Sequence, residues 1–143
     1  MVILVNEDDH QIGLMEKIEA HKKGILHRAF SVFIFNDSHE LLLQKRALNK
    51  YHSPGLWTNT CCSHPRENES ILDASNRRLM EEMGIKTELK PFLAFIYKEQ
   101  FENGLIEHEF DHVVIGKFND QPLINSEEVC DWKWVDLDKL YTD

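Results

Sequence analysis

Short strand-like runs of apolar residues fill most of this chain, and one long stretch shows strong helical spacing. Val2–Val5 reads as a strand, Asn6-Glu7-Asp8-Asp9 as a turn, and Ile12–Glu16 as a second short strand. Lys17–Lys23 reads as a brief helical turn closed by Gly24. His27–Phe35 is rich in β-branched and aromatic residues and predicts a buried strand. Asn36-Asp37-Ser38-His39 is turn chemistry, and Leu41–Lys45 returns as the hairpin partner of that strand. Ala47–Leu56 is a long loop holding Ser53-Pro54-Gly55. The stretch from Trp57 ends as a strand in Cys61-Cys62-Ser63-His64, and Pro65 breaks it. From about Glu69 the pattern turns helical, with Leu72, Leu79 and Met83 on one face, and Gly84 stops the helix. Thr87–Tyr97 and Ile106–Phe118 are strand-like, joined across Glu102-Asn103-Gly104, where Asn-Gly favours a hairpin. Val129–Val135 is a last strand, and Asp136 is placed to cap a helix over Asp136–Leu140. Mixed strands around one strong helix predict an α+β fold.

The chain has 143 residues, of which 42% are hydrophobic, enough for the core of one domain. No run approaches the roughly 20 apolar residues of a membrane span, and Met1-Val2-Ile3 opens directly into a strand-like run, so neither membrane insertion nor a secretory leader is expected. Three cysteines, two of them adjacent, make a poor disulfide framework and point to the reducing cytoplasm. A net charge of −9 argues against general nucleic-acid binding. It does not exclude a small anionic substrate, since bound metal and a few local cations can reverse the sign of a pocket.

Of the eight histidines, His10 and His39 lie in polar turns and read as solvated. His52, His108 and His112 are ambiguous. Glu107 and Glu109 are two apart on a strand and project to the same face, where their charges repel unless a cation sits between them. From spacing alone the histidines are scattered, and the simplest reading is a set of unrelated polar residues. The cysteines are equally open. Cys61 and Cys62 point to opposite faces of their strand, so at most one faces a pocket, and nothing in the spacing says which. Cys130, near Trp132 and Trp134, reads as core. On the helix, Asp73–Arg77 and Arg77–Glu81 are ordinary i,i+4 pairs worth about 0.3–0.5 kcal/mol each.

The helix and the loop before it resemble a Nudix box. Glu69, Arg77, Leu79, Glu81, Glu82, Gly84 and Ile85 fall in place, with Ser63 where the box has glycine and Arg78 where it has a metal-binding glutamate. The string Trp57-Thr58-Asn59-Thr60-Cys61-Cys62-Ser63-His64-Pro65 is similar to one branch of that superfamily, type I isopentenyl-diphosphate isomerase, and the resemblance runs from about Val2 to the end of the chain. It implies a mixed sheet sandwiched between helices, an α/β/α arrangement. It implies that His21, His27 and His64, with Glu107 and Glu109, bind a divalent metal, which that donor set leaves open between Mn2+, Zn2+ and Mg2+. It also implies that Glu82 binds Mg2+ together with the substrate's diphosphate, and that Lys17, Arg46, Lys50 and Arg78 contact the phosphates. Arg78 in place of a metal-binding carboxylate suits keeping a diphosphate intact.

The implied reaction moves one double bond between isopentenyl and dimethylallyl diphosphate through a tertiary carbocation. An isolated alkene is a weak base, so the acid must be strong and the site dry. Glu109, with Tyr97 as hydroxyl partner, fits the donor, and Cys62 as thiolate fits the base on the opposite side; the roles depend on direction. Trp57 and Tyr97 offer ring faces to the cation. The alternatives are a Nudix hydrolase of a diphosphate substrate and a metal-stabilised binding module without catalysis. The expected protein is a monomer with a small isoprenoid diphosphate as its partner and no nucleic acid. The resembled family continues with a helical tail and a tryptophan-bearing segment that closes the site. Against it, residues 1–143 read as a single, C-terminally short isomerase domain, expected to fold and bind metal but to isomerise poorly from a more open pocket.

Overall fold

The computed structural model describes residues 1–50 and 55–140. His52 and the Ser53-Pro54 part of the long loop lie outside them, as do residues 141–143. In chain order the elements are β1 (Val2–Val5), β2 (Gln11–Met15), α1 (Lys17–Lys23), β3 (His27–Phe35), β4 (Glu40–Arg46), β5 (Trp57–Thr58) and β6 (Cys61–Ser63). They continue with α2 (Ile71–Met83), β7 (Leu89–Gln100), β8 (Ile106–Lys117), β9 (Val129–Asp136) and α3 (Leu137–Leu140).

β3 is the hub of one mixed sheet. It runs parallel to β8 from His27–Glu109 through Phe35–Lys117. Along its other edge it meets β1 at His27, β6 at Phe30–Val32 and β4 at Phe35, all antiparallel. The β3–β4 hairpin expected from the sequence therefore closes only at its turn. β6 takes the middle of β3, and β4 pairs instead with β5 and β9.

Buried Phe30, Val32 and Ile34 alternate along β3 and meet Ala74, Leu79 and Met83 of α2, with Leu42, Cys61 and Val114 in the same cluster. Each such apolar side chain contributes about 1.5–3 kcal/mol on burial. The Ser70 hydroxyl accepts from the Asp73 N–H at 3.1 Å and starts α2 at Ile71, two residues later than the pattern suggested. Gly84 ends it at φ 64°, and a Cβ there would lie 2.6 Å from the Leu123 carbonyl oxygen, so only glycine fits. Trp132 and Trp134 pack against the core as expected. Cys130 does not, being exposed. The β4–β9 register shifts between Lys45 and Arg46, opposite Asp131 and Val129, and this bulge takes Cys130 out of the alternation.

Candidate active site

A cleft of about 380 Å³ opens beside the sheet, lined from α1, β3 and β4, the β5–β6 segment, and β7 and β8. One wall is a ladder of cross-strand neighbours, Phe95–Asp111, Tyr97–Glu109 and Glu99–Glu107, all six facing the cleft. Opposite Ser31 in the β3–β6 ladder, Cys62 also faces it. Alternation turns Cys61 the other way, fully buried, with its Sγ 3.6 Å from Glu82 Oε2 on α2.

Four of the expected metal-binding residues meet here. His21 comes from α1, His27 from β3, His64 from just past β6 and Glu109 from β8, and their ligand atoms lie within 4.8 Å of one another. The parallel β3–β8 register sets His27 alongside Glu109. His27 Nε2 and His64 Nε2 stand 3.2 Å apart, and Glu109 Oε2 is 3.4 Å from the first and 3.1 Å from the second. The Nδ1 atoms are tied outward: His21 Nδ1 to the Lys17 carbonyl at 2.8 Å, His27 Nδ1 to the Ile25 carbonyl at 2.9 Å. A ring that donates through Nδ1 keeps its Nε2 lone pair for the centre, as metal-binding histidines do. Burial pushes His64 down to about 4 against the pull of Glu109, which leaves it neutral, the form that ligates. Burial works to raise the Glu109 carboxyl, but its contacts with the imidazoles of His27 and His64 hold it far below the usual range. The donor set fits a divalent metal. Glu107 lines the same cleft, outside this cluster of four.

Cys62 Sγ lies 2.7 Å from Asn59 Oδ1 and 3.8 Å from Ser31 Oγ. Asn59 is locked, since its amide donates to the carbonyls of Val32 at 2.9 Å and Cys61 at 3.0 Å. Burial first, then Asp111 and Glu109, push the Cys62 thiol up to about 12, with Ser31 pulling the other way. Asp111 is buried, accepts from the Ser31 hydroxyl at 2.9 Å, and is raised to about 6, chiefly by burial. The Trp57 ring lines the cleft and carries Lys133 Nζ 4.3 Å from its centre.

Of the four expected phosphate contacts, Lys17 and Arg46 line the cleft. Lys50 and Arg78 are held by acids. Arg78 Nη2 is 2.8 Å from Glu82 Oε2 and 3.3 Å from Glu128 Oε2, Arg78 Nη1 is 2.8 Å from Glu81, and Lys50 Nζ bonds Glu128. Burial lowers the Lys17 ammonium, and the charges of Lys50, Arg46 and Arg78 lower it further, so the four cations form one electrostatic set. Glu82 is buried, and Gln44 Nε2 donates to its other oxygen at 3.1 Å.

Sequence reasoning missed Asp111, Ser31, Asn59, Gln44 and Glu128. Asp111 was within reach, because the Glu107–Glu109 alternation continues to it. Asn59 stands three residues from Cys62 within the Trp57–Pro65 string but carried no assigned role. Ser31, Gln44 and Glu128 have no signal of their own, for only the folded chain brings them to the site.

A NUDIX domain family model matches residues 25–143. The chain is 55% identical over 142 residues to isopentenyl-diphosphate Delta-isomerase 2 of Aromatoleum aromaticum, covering 99% of this chain and 75% of that one. To isopentenyl-diphosphate Delta-isomerase of Burkholderia multivorans it is 54% identical, covering 97% and 79%. A Deinococcus radiodurans crystal structure aligns with a TM-score of 0.81 at 19% identity, covering 99% of this chain and 86% of that one, a likeness of fold alone. The mixed-sheet α+β fold and the box on α2 agree with these likenesses, and the chain belongs to the isopentenyl-diphosphate Delta-isomerase family of NUDIX-fold proteins.

Proposed function

We propose that this chain interconverts isopentenyl diphosphate and dimethylallyl diphosphate by adding a proton at one carbon and removing one two carbons along, through a tertiary carbocation. The observation that carries the reading is that Cys62, Glu109 and Tyr97 line one cleft together with Lys17 and Arg46. Cys62 and Glu109 are the proton-transfer pair, and they exchange roles with the direction of reaction. Tyr97, directly across the ladder from Glu109, is its hydroxyl partner. Phe30, Phe95 and Leu56 line the same cleft and suit the isoprenoid part, where excluded water protects a carbocation.

His21, His27, His64 and Glu109 would hold a divalent metal, with Glu107 adding a carboxylate from the same strand face. Three imidazoles suit Zn2+, and the carboxylates suit Mn2+ and Mg2+. A metal there would make the carboxyl of Glu109 a stronger proton donor. Glu82 would hold Mg2+, which neutralises diphosphate charge, once Arg78 turns from Glu82 to the phosphates. Lys17, Arg46, Lys50 and Arg78 hold the diphosphate, and Trp57 lines the cleft with Lys17 and Arg46. Residues 1–143 act as one domain and a monomer, on a small isoprenoid diphosphate. The cysteine pattern supports a reducing compartment, the cytoplasm. Among the described residues no helix is long and apolar enough to cross a membrane.

The test is incubation with isopentenyl diphosphate and Mg2+ in D2O. Deuterium entering a methyl group is the expected result. Orthophosphate released from a nucleoside diphosphate instead would make the protein a hydrolase, and neither outcome would leave it a binding module.

A further inference from the structure

Glu128 has no part in the roles assigned above, yet the fold holds it firmly beside them. It lies in the turn before β9, where its carbonyl accepts from the Ala47 N–H at 3.1 Å and its own N–H donates to the Asn125 carbonyl at 2.9 Å. The same segment is stitched to the end of α2: Leu123 N–H to the Met83 carbonyl at 2.8 Å, and Asn125 N–H to the Glu82 carbonyl at 2.9 Å. These backbone bonds place the Glu128 carboxylate between two cations from distant parts of the chain. Its Oε2 bonds Lys50 Nζ and lies 3.3 Å from Arg78 Nη2.

All three side chains are mostly covered, with 25% of Glu128, 23% of Lys50 and 19% of Arg78 exposed, so the contacts are poorly screened. Burial works to raise the Glu128 carboxyl, but the Lys50 hydrogen bond and the charges of Lys50, Arg78 and Lys17 hold it below the usual range. Lys17 and Arg46 line the cleft, whereas Lys50 and Arg78 do not. A carboxylate and a phosphate are alternative partners for the same guanidinium and ammonium groups.

We propose that Glu128 is an internal counter-anion of the diphosphate site: it holds Lys50 and Arg78 when no substrate is bound, and an incoming diphosphate must displace it to recruit them. The inference rests on reading those two cations as diphosphate contacts. Glu128 then sets substrate affinity. It relieves the mutual repulsion of four neighbouring cations in the free protein, and it competes with the ligand for two of them.

The experiment uses metal-loaded protein, wild type and Glu128→Gln, titrated calorimetrically with inorganic pyrophosphate in the presence of Mg2+. Glutamine keeps the shape and leaves the backbone bonds in place, and a melting curve checks the fold. Pyrophosphate should bind Glu128→Gln about tenfold tighter, a gain of about 1.4 kcal/mol. KM for isopentenyl diphosphate should fall without a rise in kcat. Adding Lys50→Gln to Glu128→Gln should remove the gain. Glu128→Asp, with its carboxylate drawn back, should lie between wild type and Glu128→Gln, and it carries the test if Glu128→Gln does not fold. Unchanged or weaker binding by both variants would overturn the proposal, since a residue that merely positions the two cations weakens the site when neutralised. Wild-type turnover measured alongside separates the two readings. Turnover with no tightening overturns only the role of Glu128, and no turnover overturns the proposed reaction.

Discussion

In one part of the site three imidazoles and a carboxylate converge within 4.8 Å, and the outer nitrogens of His21 and His27 are tied to backbone carbonyls. In the other, four long cationic side chains gather, two of them held by Glu81, Glu82 and Glu128. The histidine set spans α1, β3, β8 and the end of β6, and short tethered side chains give it one arrangement. The cation set hangs on flexible stems, and its charge is balanced by acids from α2 and the β9 turn. The difference follows what each part has to do. Proton transfer to an alkene needs groups fixed before the substrate arrives. Holding a diphosphate needs positive charge that the fold can tolerate when the ligand is gone, hence counter-anions that can give way.

The largest effects should come from the fixed part. Glu109→Gln and Cys62→Ala are each expected to cost more than about a thousandfold in kcat, the upper range for loss of an acid–base group, while Cys61→Ala keeps turnover because its thiol is buried on the side of β6 away from the cleft. Single-turnover kinetics measures this. Loss of activity in Cys61→Ala with Cys62→Ala spared would reverse the assignment of the two faces of β6.

Metal removal tests the same part by stability. A ligand present at a hundred times its Kd adds about 2.7 kcal/mol to the folded state. Chelated protein should therefore melt several degrees lower, and stoichiometric Zn2+ or Mn2+ should restore it. A folded protein that takes up no metal near neutral pH would remove the basis for calling the histidine set preorganised.

Arg78→Gln probes the compensated part. It strands the buried Glu82 carboxylate, which among the described residues keeps Gln44 and Cys61, at a cost of about 2 kcal/mol in stability. KM for isopentenyl diphosphate should rise about tenfold, one lost charge-assisted contact. A stability loss with KM unchanged would make Arg78 a partner of Glu82 alone.

Legibility in the sequence followed the same division. Strand alternation and the switch to helical spacing located β1, β3, α2, β7 and β8, because those patterns are local. The alternation of Cys61 and Cys62 was equally local, although the choice between them needed the family resemblance. What spacing could not give was the sheet order. His27 meets Glu109 only because β3 and β8 run parallel side by side, although β4, β5, β6, α2 and β7 separate them in the chain. That long-range register is what turns scattered histidines into a cluster. Glu128 was hidden for the same reason, since only the folded Leu123–Val129 segment brings it to Arg78. The Cys130 expectation failed on a single bulge, which no alternation pattern announces.

The smallest effect concerns where the cation set ends. Arg77 and Arg78 are neighbours in sequence and share Glu81, yet their other partners differ. Arg77 Nε lies 2.8 Å from Glu69 Oε2, Arg77 Nη2 3.0 Å from Glu69 Oε1 and Arg77 Nη1 3.2 Å from Glu81. Glu69 is itself fixed by accepting from the Arg66 N–H at 2.9 Å, so this ion pair ties the loop before α2 to the helix. It reaches neither Lys50 nor Glu128 by any contact found among the described residues. Ion pairs at a protein surface are worth about 0–1 kcal/mol, and with Arg77 20% and Glu69 17% exposed the two-pronged geometry puts this one at the top of that range. Arg77→Gln should lower stability by about 1 kcal/mol in urea unfolding and leave KM and kcat within twofold of wild type, about the limit of such comparisons at roughly 0.4 kcal/mol. A rise in KM matching that of Arg78→Gln would show that Arg77 belongs with the diphosphate cations and that the set extends around the helix.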